Sequence, residues 1–411
     1  MVTRLSSLIV LCALVPAAPA ADFPRWKAQE IDPHIGNVCY AVTTADVDGD
    51  GKPDAVAVAE DAVYWYANPS WKKHVLIKNA TERDNVCIQA HDVDGDGKID
   101  FSLGASWQPS NTKSGGTVQW LKRGGDVTAP WKVIPIGSEP TIHRMRWGRL
   151  DASGKKQLVV APLQGKGTKG PNWAQGSGVR VLVYTVPADP SNDPWPVEVA
   201  DDSLHATHNL QLIDFNNDGR DDIVIAAWEG VFVLSRSPEG RWTRQKIASG
   251  NQESSPFKGS SEVKVGKLAD GRRYIATIEP WHGHQVVVYT PPAKSDKASL
   301  WDRRVIDEPV TWGHAVWCAD LDADGDDELI IGQRDKSSNP ARTPAGPGVL
   351  VYDPKPRAPG APLEFTRHVI DDGGVACEDL VAADLNADGR PDILAGGRAT
   401  HNVKIYWNLD K

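Results

Sequence analysis

The sequence predicts an all-β fold, a seven-bladed β-propeller closed by its own N-terminal strand. Three observations carry this. An acidic turn recurs at a nearly constant spacing, apolar runs of strand length flank every copy, and the last unit lacks an outer strand that stands instead at the start of the chain. A period of this length is typical of propeller blades.

The turn is clearest in Thr311–Gly332, where Asp320-x-Asp322-x-Asp324-Gly325 is followed by Glu328 and the apolar run Leu329–Ile331. Carboxylates at every second position, with a glycine for the sharp bend, suit a hard cation that takes six to eight oxygens. The flanks read as strands, so this is EF-hand loop chemistry without the helices. Asp46, Asp48, Asp50 and Asp54 form a second copy, and Asp92, Asp94, Asp96 and Asp100 a third. Asp214, Asn216, Asp218 and Asp222 form the fourth; Asp384, Asn386, Asp388 and Asp392 form the fifth. Two weaker copies, Arg149–Gly154 and Lys267–Gly271, keep the turn and lose most ligands. The first ligand positions then fall at 46, 92, 149, 214, 267, 320 and 384, which gives seven units. Six or eight blades follow if a weak copy is miscounted. The expected cofactor is structural calcium at about five sites.

Within each unit the first strand precedes the acidic turn and the second follows it. The third is an alternating β-branched and aromatic run, such as Val63–Tyr66, Val286–Tyr289 or Ile405–Trp407. The fourth is a polar outer strand, such as Trp71–Ile77 or Phe365–Ile370. The seventh unit ends at Lys411 without one, and Arg25–Ile31 resembles an outer strand without a unit. Pairing the two removes two open sheet edges.

Residues 1–20 have the plan of a secretory signal peptide: Arg4, an apolar run from Leu8 to Val15, then Ala18-Pro19-Ala20. The expected mature chain, 21–411, is one propeller domain, secreted or periplasmic, with no membrane span. The formal net charge is −9. Eighteen acidic residues stand at ligand positions of the five good turns, so the acidity describes ion sites. No basic stripe suits nucleic acid. Cys12 belongs to the leader. Cys39, Cys87, Cys318 and Cys377 fall on first strands, and Cys39 and Cys377, in units that adjoin in a closed ring, either pair or are small buried hydrophobes.

All acidic turns lie on one rim of such a ring. The opposite rim collects the starts of the first strands. Six residues before each first ligand stand Tyr40, Val86, His143, His208, Ser261, His314 and Glu378, and the next level holds Arg144, Asn209, Glu262 and Asp379. The loops between second and third strands add Trp107, Trp173, Trp228, Trp281, His282, His284, Arg334 and His401 to this rim, with Trp312 beside them. Two of these loops, Gln164 to Gly178 and Gln333 to Gly348, are long, and long loops on a rigid scaffold commonly carry binding. A lone histidine on an inner strand is usually a core residue; three at one level beside arginine and carboxylates point to a functional site.

The acidic repeats resemble the FG-GAP or VCBS family of calcium-loaded propellers. Pro140–Trp147, His205–Asn209, Glu279–His284 and Trp312–Ala315 resemble more closely the propeller of the aldos-2-ulose dehydratases. That resemblance implies a lyase that eliminates water from a keto-sugar. Fungal members carry cupin domains after the propeller, and this sequence stops after the seventh unit.

The expected activity is therefore elimination of water or an alkoxide from a small sugar at the channel mouth. His143 or His208 is the candidate base, Arg144 or a zinc or magnesium ion the enolate stabiliser, and Glu378 or Glu262 the acid or orienting group. His282, His284 and His314 are candidates to hold metal or substrate. Asn209, Trp228, Trp281 and Trp312 complete the substrate contacts. A non-catalytic carbohydrate- or protein-binding propeller and a polysaccharide lyase are the competing readings. The oligomeric state is not encoded in these patterns.

Overall fold

Seven four-stranded antiparallel sheets make up the computed structural model, which describes residues 23–293, 299–308, 310–337, 344–355 and 362–409. The expected leader and the middle of the Gln333–Gly348 loop lie outside these residues. Six sheets take their four strands in chain order; blade 1, for example, is Cys39–Ala45, Asp54–Ala59, Ala62–Ala67 and Lys72–Lys78. The seventh pairs Cys377–Ala383, Asp392–Gly397 and Val403–Leu409 with the N-terminal strand Arg25–Asp32, which runs antiparallel to Val403–Leu409. The expected closure is therefore present. Each first strand touches the first strand of the next blade, and that of blade 7 touches that of blade 1. Among the described residues no helix is long and apolar enough to cross a membrane.

The alternation of strand residues explains the core. Both faces of the inner strands are covered by neighbouring blades, so second and third strands such as Asp54–Ala59 and Val286–Tyr289 are buried along their length. Apolar clusters straddle consecutive blades: Val56, Val58 and Trp65 meet Phe101, Leu103 and Trp131, and Ala57, Tyr64 and Tyr66 meet Leu394 and Ile405. Cys39, Cys87 and Cys377 are buried and Cys318 is half-buried, and all four are free thiols. The Cys39–Cys377 pairing is thus not made. Each sulfur fills the space left by a neighbouring glycine, Cys39 at Gly396 and Cys377 at Gly332.

A polar device joins the blades outside this core. The buried third-strand tyrosine donates to an aspartate near the end of the preceding blade's outer strand: Tyr352 to Asp307 (3.3 Å), Tyr406 to Asp371 (2.7 Å) and Tyr66 to Asp32 (2.6 Å). A cation completes each set: Arg367 on Asp307 (2.9 Å), Lys404 on Asp371 (2.8 Å) and Lys73 on Asp32 (2.6 Å). Asp32 belongs to the N-terminal strand, so that strand docks on blade 1 as the fourth strands of blades 5 and 6 dock on blades 6 and 7.

Candidate active site

The acidic turns occupy one rim. Asp46, Asp48 and Asp50 bring carboxylate oxygens within 4.8 Å of one another, as do Asp92, Asp94 and Asp96, and as do Asp320, Asp322 and Glu328. The first aspartate of each turn accepts the amide of the turn glycine, as Asp46 does from Gly51 (3.0 Å) and Asp384 from Gly389 (2.8 Å). The last acid points inward. Asp54 accepts the amides of Val47 (2.9 Å) and Asn68 (2.8 Å), and Asp392 those of Leu385 (3.1 Å) and Asn408 (2.8 Å). Asp100 and Asp222 take the equivalent amides of Val93 and Phe215. Glu328 is fully buried with one oxygen unpartnered, and burial pushes its carboxyl up to about 9. Such an oxygen needs a proton or a cation.

On the opposite rim the local backbone decides where side chains aim. In blades 1, 3, 6 and 7 the first and second strands slip by one residue at their start, between Cys39 and Ala41, Ile142 and Arg144, Gly313 and Ala315, and Cys377 and Asp379. The residues left unpaired are Tyr40, His143, His314 and Glu378. A β-bulge of this kind re-aims a side chain, and here it turns them into the channel mouth. His208 reaches the same place from just ahead of the strand Leu210–Ile213.

Four imidazoles meet there. His208 lies with its ring centroid 4.5 Å from that of His143, 4.8 Å from His314 and 4.2 Å from His282. His143 Nδ1 faces the His208 carbonyl (3.0 Å), and His314 Nδ1 the Glu378 carbonyl (2.6 Å). His208 Nδ1 contacts the Glu262 carboxylate, and both side chains are fully buried. A carbonyl accepts only, so the proton of His143 and of His314 sits on Nδ1, and the Nε2 of each keeps its lone pair. The nitrogens of His208, His282 and His314 lie within 4.8 Å of one another, with His208 Nε2 and His282 Nε2 2.6 Å apart. Burial, with the nearby arginines and the other imidazoles, holds all four well below the usual histidine range, so they are neutral at neutral pH.

Charge borders this cluster on one side. Glu378 accepts from Arg398 (2.6 Å), with Arg334 Nη1 3.9 Å and His314 Nε2 3.8 Å away. Burial outweighs both guanidinium groups and raises Glu378 above the usual carboxylate range. Arg334 lies over the Trp312 ring and Arg398 over Tyr40. His282 stacks on Trp281, with ring centroids 4.0 Å apart. His143, His282, His314, Glu378, Arg334 and Arg398, with indole rings that include Trp107 and Trp173, line a pocket of about 240 Å³ that Tyr40 does not enter.

Some expected residues sit elsewhere. Arg144, Asn209 and Glu262 are buried below the histidines and do not line the pocket. Asn209 donates to Glu262 (2.5 Å), which in turn fixes His208, so both act on a histidine and not on a ligand. His208 itself is fully buried behind His282. Trp228 packs against Phe257 and Trp281 and stays out of the pocket. His284 is exposed: the tight turn at Gly283, whose Cα faces the Pro280 and Glu279 carbonyls, sends His282 inward and His284 out. Arg398 was not among the expected site residues. Its signal is positional, since it directly follows a second strand as Arg334 does.

Residues 115–292 match the family model described as aldos-2-ulose dehydratase, beta-propeller domain, and residues 46–103 match that of an FG-GAP-like repeat. The aldos-2-ulose dehydratase of Phanerodontia chrysosporium is 30% identical over 235 residues, 53% of this chain and 25% of that protein, so the match spans a quarter of the relative's length. Both resemblances read from the sequence are therefore found. Among solved structures, virginiamycin B lyase from Staphylococcus aureus superposes with a TM-score of 0.55 at 11% identity, covering 94% of this chain and all (100%) of that one. An Agrocybe aegerita lectin that recognises non-reducing terminal N-acetylglucosamine gives 0.51 at 13%, covering 90% and 85%. At these identities the likeness is one of fold.

Proposed function

We propose that this propeller is a carbon–oxygen lyase that eliminates water or an alkoxide from a keto-sugar held at the histidine mouth. The observation that carries the reading is the composition of one small pocket: neutral imidazoles on one wall, an arginine-held Glu378 on another, and indole rings around them. The similarity to a dehydratase propeller supports it.

Of the two candidate bases, His143 is favoured, because it lines the pocket and His208 does not. Its Nε2, which rests 3.4 Å from Arg144 Nη1, takes the proton from the carbon beside the carbonyl as that contact is given up. His143 then carries charge, and its Nδ1–H bond to the His208 carbonyl strengthens. Negative charge gathers on the carbonyl oxygen, where Arg334 and Arg398 supply cationic donors. Glu378, raised by burial, is the group to protonate the leaving oxygen. Glu262 and Asn209 hold the His208 ring in place.

The Nε2 atoms of His208, His282 and His314 fit a zinc ion: three neutral imidazoles converge, and the outer nitrogens of two are fixed by a carboxylate and a carbonyl. Magnesium, which prefers oxygen ligands, fits this set poorly. When bound, zinc would supply Lewis-acid polarisation of a substrate oxygen. Calcium at the acidic turns belongs to the same proposal as a structural cofactor.

The test follows the ultraviolet absorbance of the conjugated enone that dehydration of a keto-sugar produces. His143→Ala is expected to lower the rate ~10²–10⁴-fold, and zinc content to fall in His282→Ala. A parent protein that binds glycans and forms no enone from any keto-sugar is a binding module instead.

A further inference from the structure

We propose that the histidine pocket is the inner half of a two-part site, and that a polar pocket beside it receives a second sugar as the leaving group. The substrate is then a keto-glycoside. The chemistry rests on the elimination reading above, while the pocket itself is independent of it.

The outer pocket has a volume of about 190 Å³ and is built from two loops, residues 110–113 of blade 2 and 167–173 of blade 3. It shares Ser110 and Trp173 with the histidine pocket, so the two adjoin. Hydrogen bonds stitch the loops together. Thr112 Oγ1 donates to the Thr168 carbonyl (2.8 Å) and the Gly167 amide to the Thr112 carbonyl (3.0 Å). Thr168 Oγ1 bonds back to Gly165 (2.7 Å), and Asn111 Oδ1 caps the amides of Lys113 and Ser114 (3.2 Å each). Thr112 and Thr168 are buried, so the shelf is a built surface and not a gap between loose segments.

Trp173 stands at the junction. Its backbone is left-handed, with φ 55°, which a bulky residue rarely adopts without a reason. Its ring rests on Gly170, where even a Cβ would lie 3.4 Å away, and is half-buried. One indole between two pockets suits two rings joined through one oxygen. The outer lining offers hydroxyls, an amide and the exposed Lys113 and Lys169, and no carboxylate. That set suits a neutral or acidic sugar. In the step, His143 takes the α-proton, the C–H pair becomes the carbon–carbon double bond, and the bond from the β-carbon to the bridging oxygen breaks. The oxygen leaves as a hydroxyl of the second sugar with the proton from Glu378, and no water is consumed.

The experiment compares a keto-disaccharide with the keto-monosaccharide that carries a free hydroxyl at the same carbon, using the full chain. Lys113→Trp fills the outer pocket, and Lys113→Ala with Lys169→Ala empties its charge. The parent is expected to prefer the disaccharide in kcat/KM, and both variants to lose roughly tenfold on it, the effect of one or two polar contacts, while the monosaccharide rate holds. Equal kcat/KM for the two substrates, or an equal fall on both, overturns the outer subsite. If neither sugar reacts, the elimination reading fails, and calorimetric binding decides the subsite: it stands if the disaccharide binds more tightly to the parent alone, and falls if Kd is the same for both sugars.

Discussion

Replacing Asp32 with alanine tests how the ring closes. Asp32 is buried and accepts from Tyr66 Oη (2.6 Å), Lys73 Nζ (2.6 Å) and the His34 amide (3.0 Å). Tyr66 is fully buried, so the variant leaves its hydroxyl without this acceptor, a cost of about 1–3 kcal/mol. The Lys73 pair is partly exposed and contributes less. The expected loss is about 2–4 kcal/mol in urea unfolding at neutral pH. Tyr66→Phe removes the hydroxyl, so the double variant should lose less than the sum of the two singles, with a coupling of about 1–2 kcal/mol. The pH dependence has a definite sign. Burial works to raise the Asp32 carboxyl, but the bonds from Lys73, Tyr66 and His34 win and hold it below its usual value. Its contribution is therefore complete above the unfolded-state value of about 3.9 and is lost as pH falls through the lower folded value. The gap between parent and Asp32→Ala should close in acid. Strict additivity of the two substitutions, or a gap that persists below both values, would refute the closure device.

Two further outcomes concern the acidic rim. Exhaustive chelation should lower the melting temperature, since each site held at a hundred times its Kd contributes about 2.7 kcal/mol. The Asp320 turn should be the last to empty, because Asp326 stands where Lys52, Lys98, Arg220 and Arg390 pair with the third ligand of the other turns. Unchanged melting and no calcium by elemental analysis would remove the calcium reading. Separately, Asp221→Ala and Asp327→Ala should each cost about 1 kcal/mol, because Asp221 accepts the Arg149 amide (2.8 Å) and Asp327 the Lys267 amide (2.7 Å); unchanged urea midpoints in both would show the contacts to be idle.

The ring was legible because its signals are local and repeated. A turn that needs oxygens at alternate positions writes itself into the sequence, and counting six residues back from it lands on His143, His208, His314 and Glu378. What the count cannot supply is the bulge. A one-residue slip flips a side chain across a strand, and nothing in Ile142–Arg144 or Cys377–Asp379 announces it. Arg398 was missed for a related reason: its partner Glu378 is twenty residues away and the pairing exists only at the mouth. Glu262 stands where the orienting role expected of it can be played, against His208, while Asn209 lies below the pocket and not in it, because depth along a channel depends on which strand is bulged. His282 and His284 look equivalent in the sequence, and a tight turn separates them.

The two ligand-poor turns show how far such signals depend on neighbours. Blades 3 and 5 have lost their ligands, and their turns are held from the next blade. Asp221 of blade 4 and Asp327 of blade 6 each accept one amide and donate their own to the carbonyl of the same residue, Arg149 or Lys267. Both stand directly before the last acid of their own turns. At that position the remaining three good turns carry Pro53, Ile99 and Pro391, and each of these follows a blade whose own turn keeps its ligands. The aspartate thus occurs where the preceding turn has lost most of its ligand positions. Blade 3 completes the substitution internally: Gln157 takes the place of the last acid, accepts the Leu150 amide (3.0 Å) and donates to Asp151, which Arg236 also binds (3.1 Å). A guanidinium and an amide there do what a cation would do in the other turns. Taken one unit at a time, these residues are ordinary acids; as pairs across a blade interface, they mark the turns that lack the acidic ligand set.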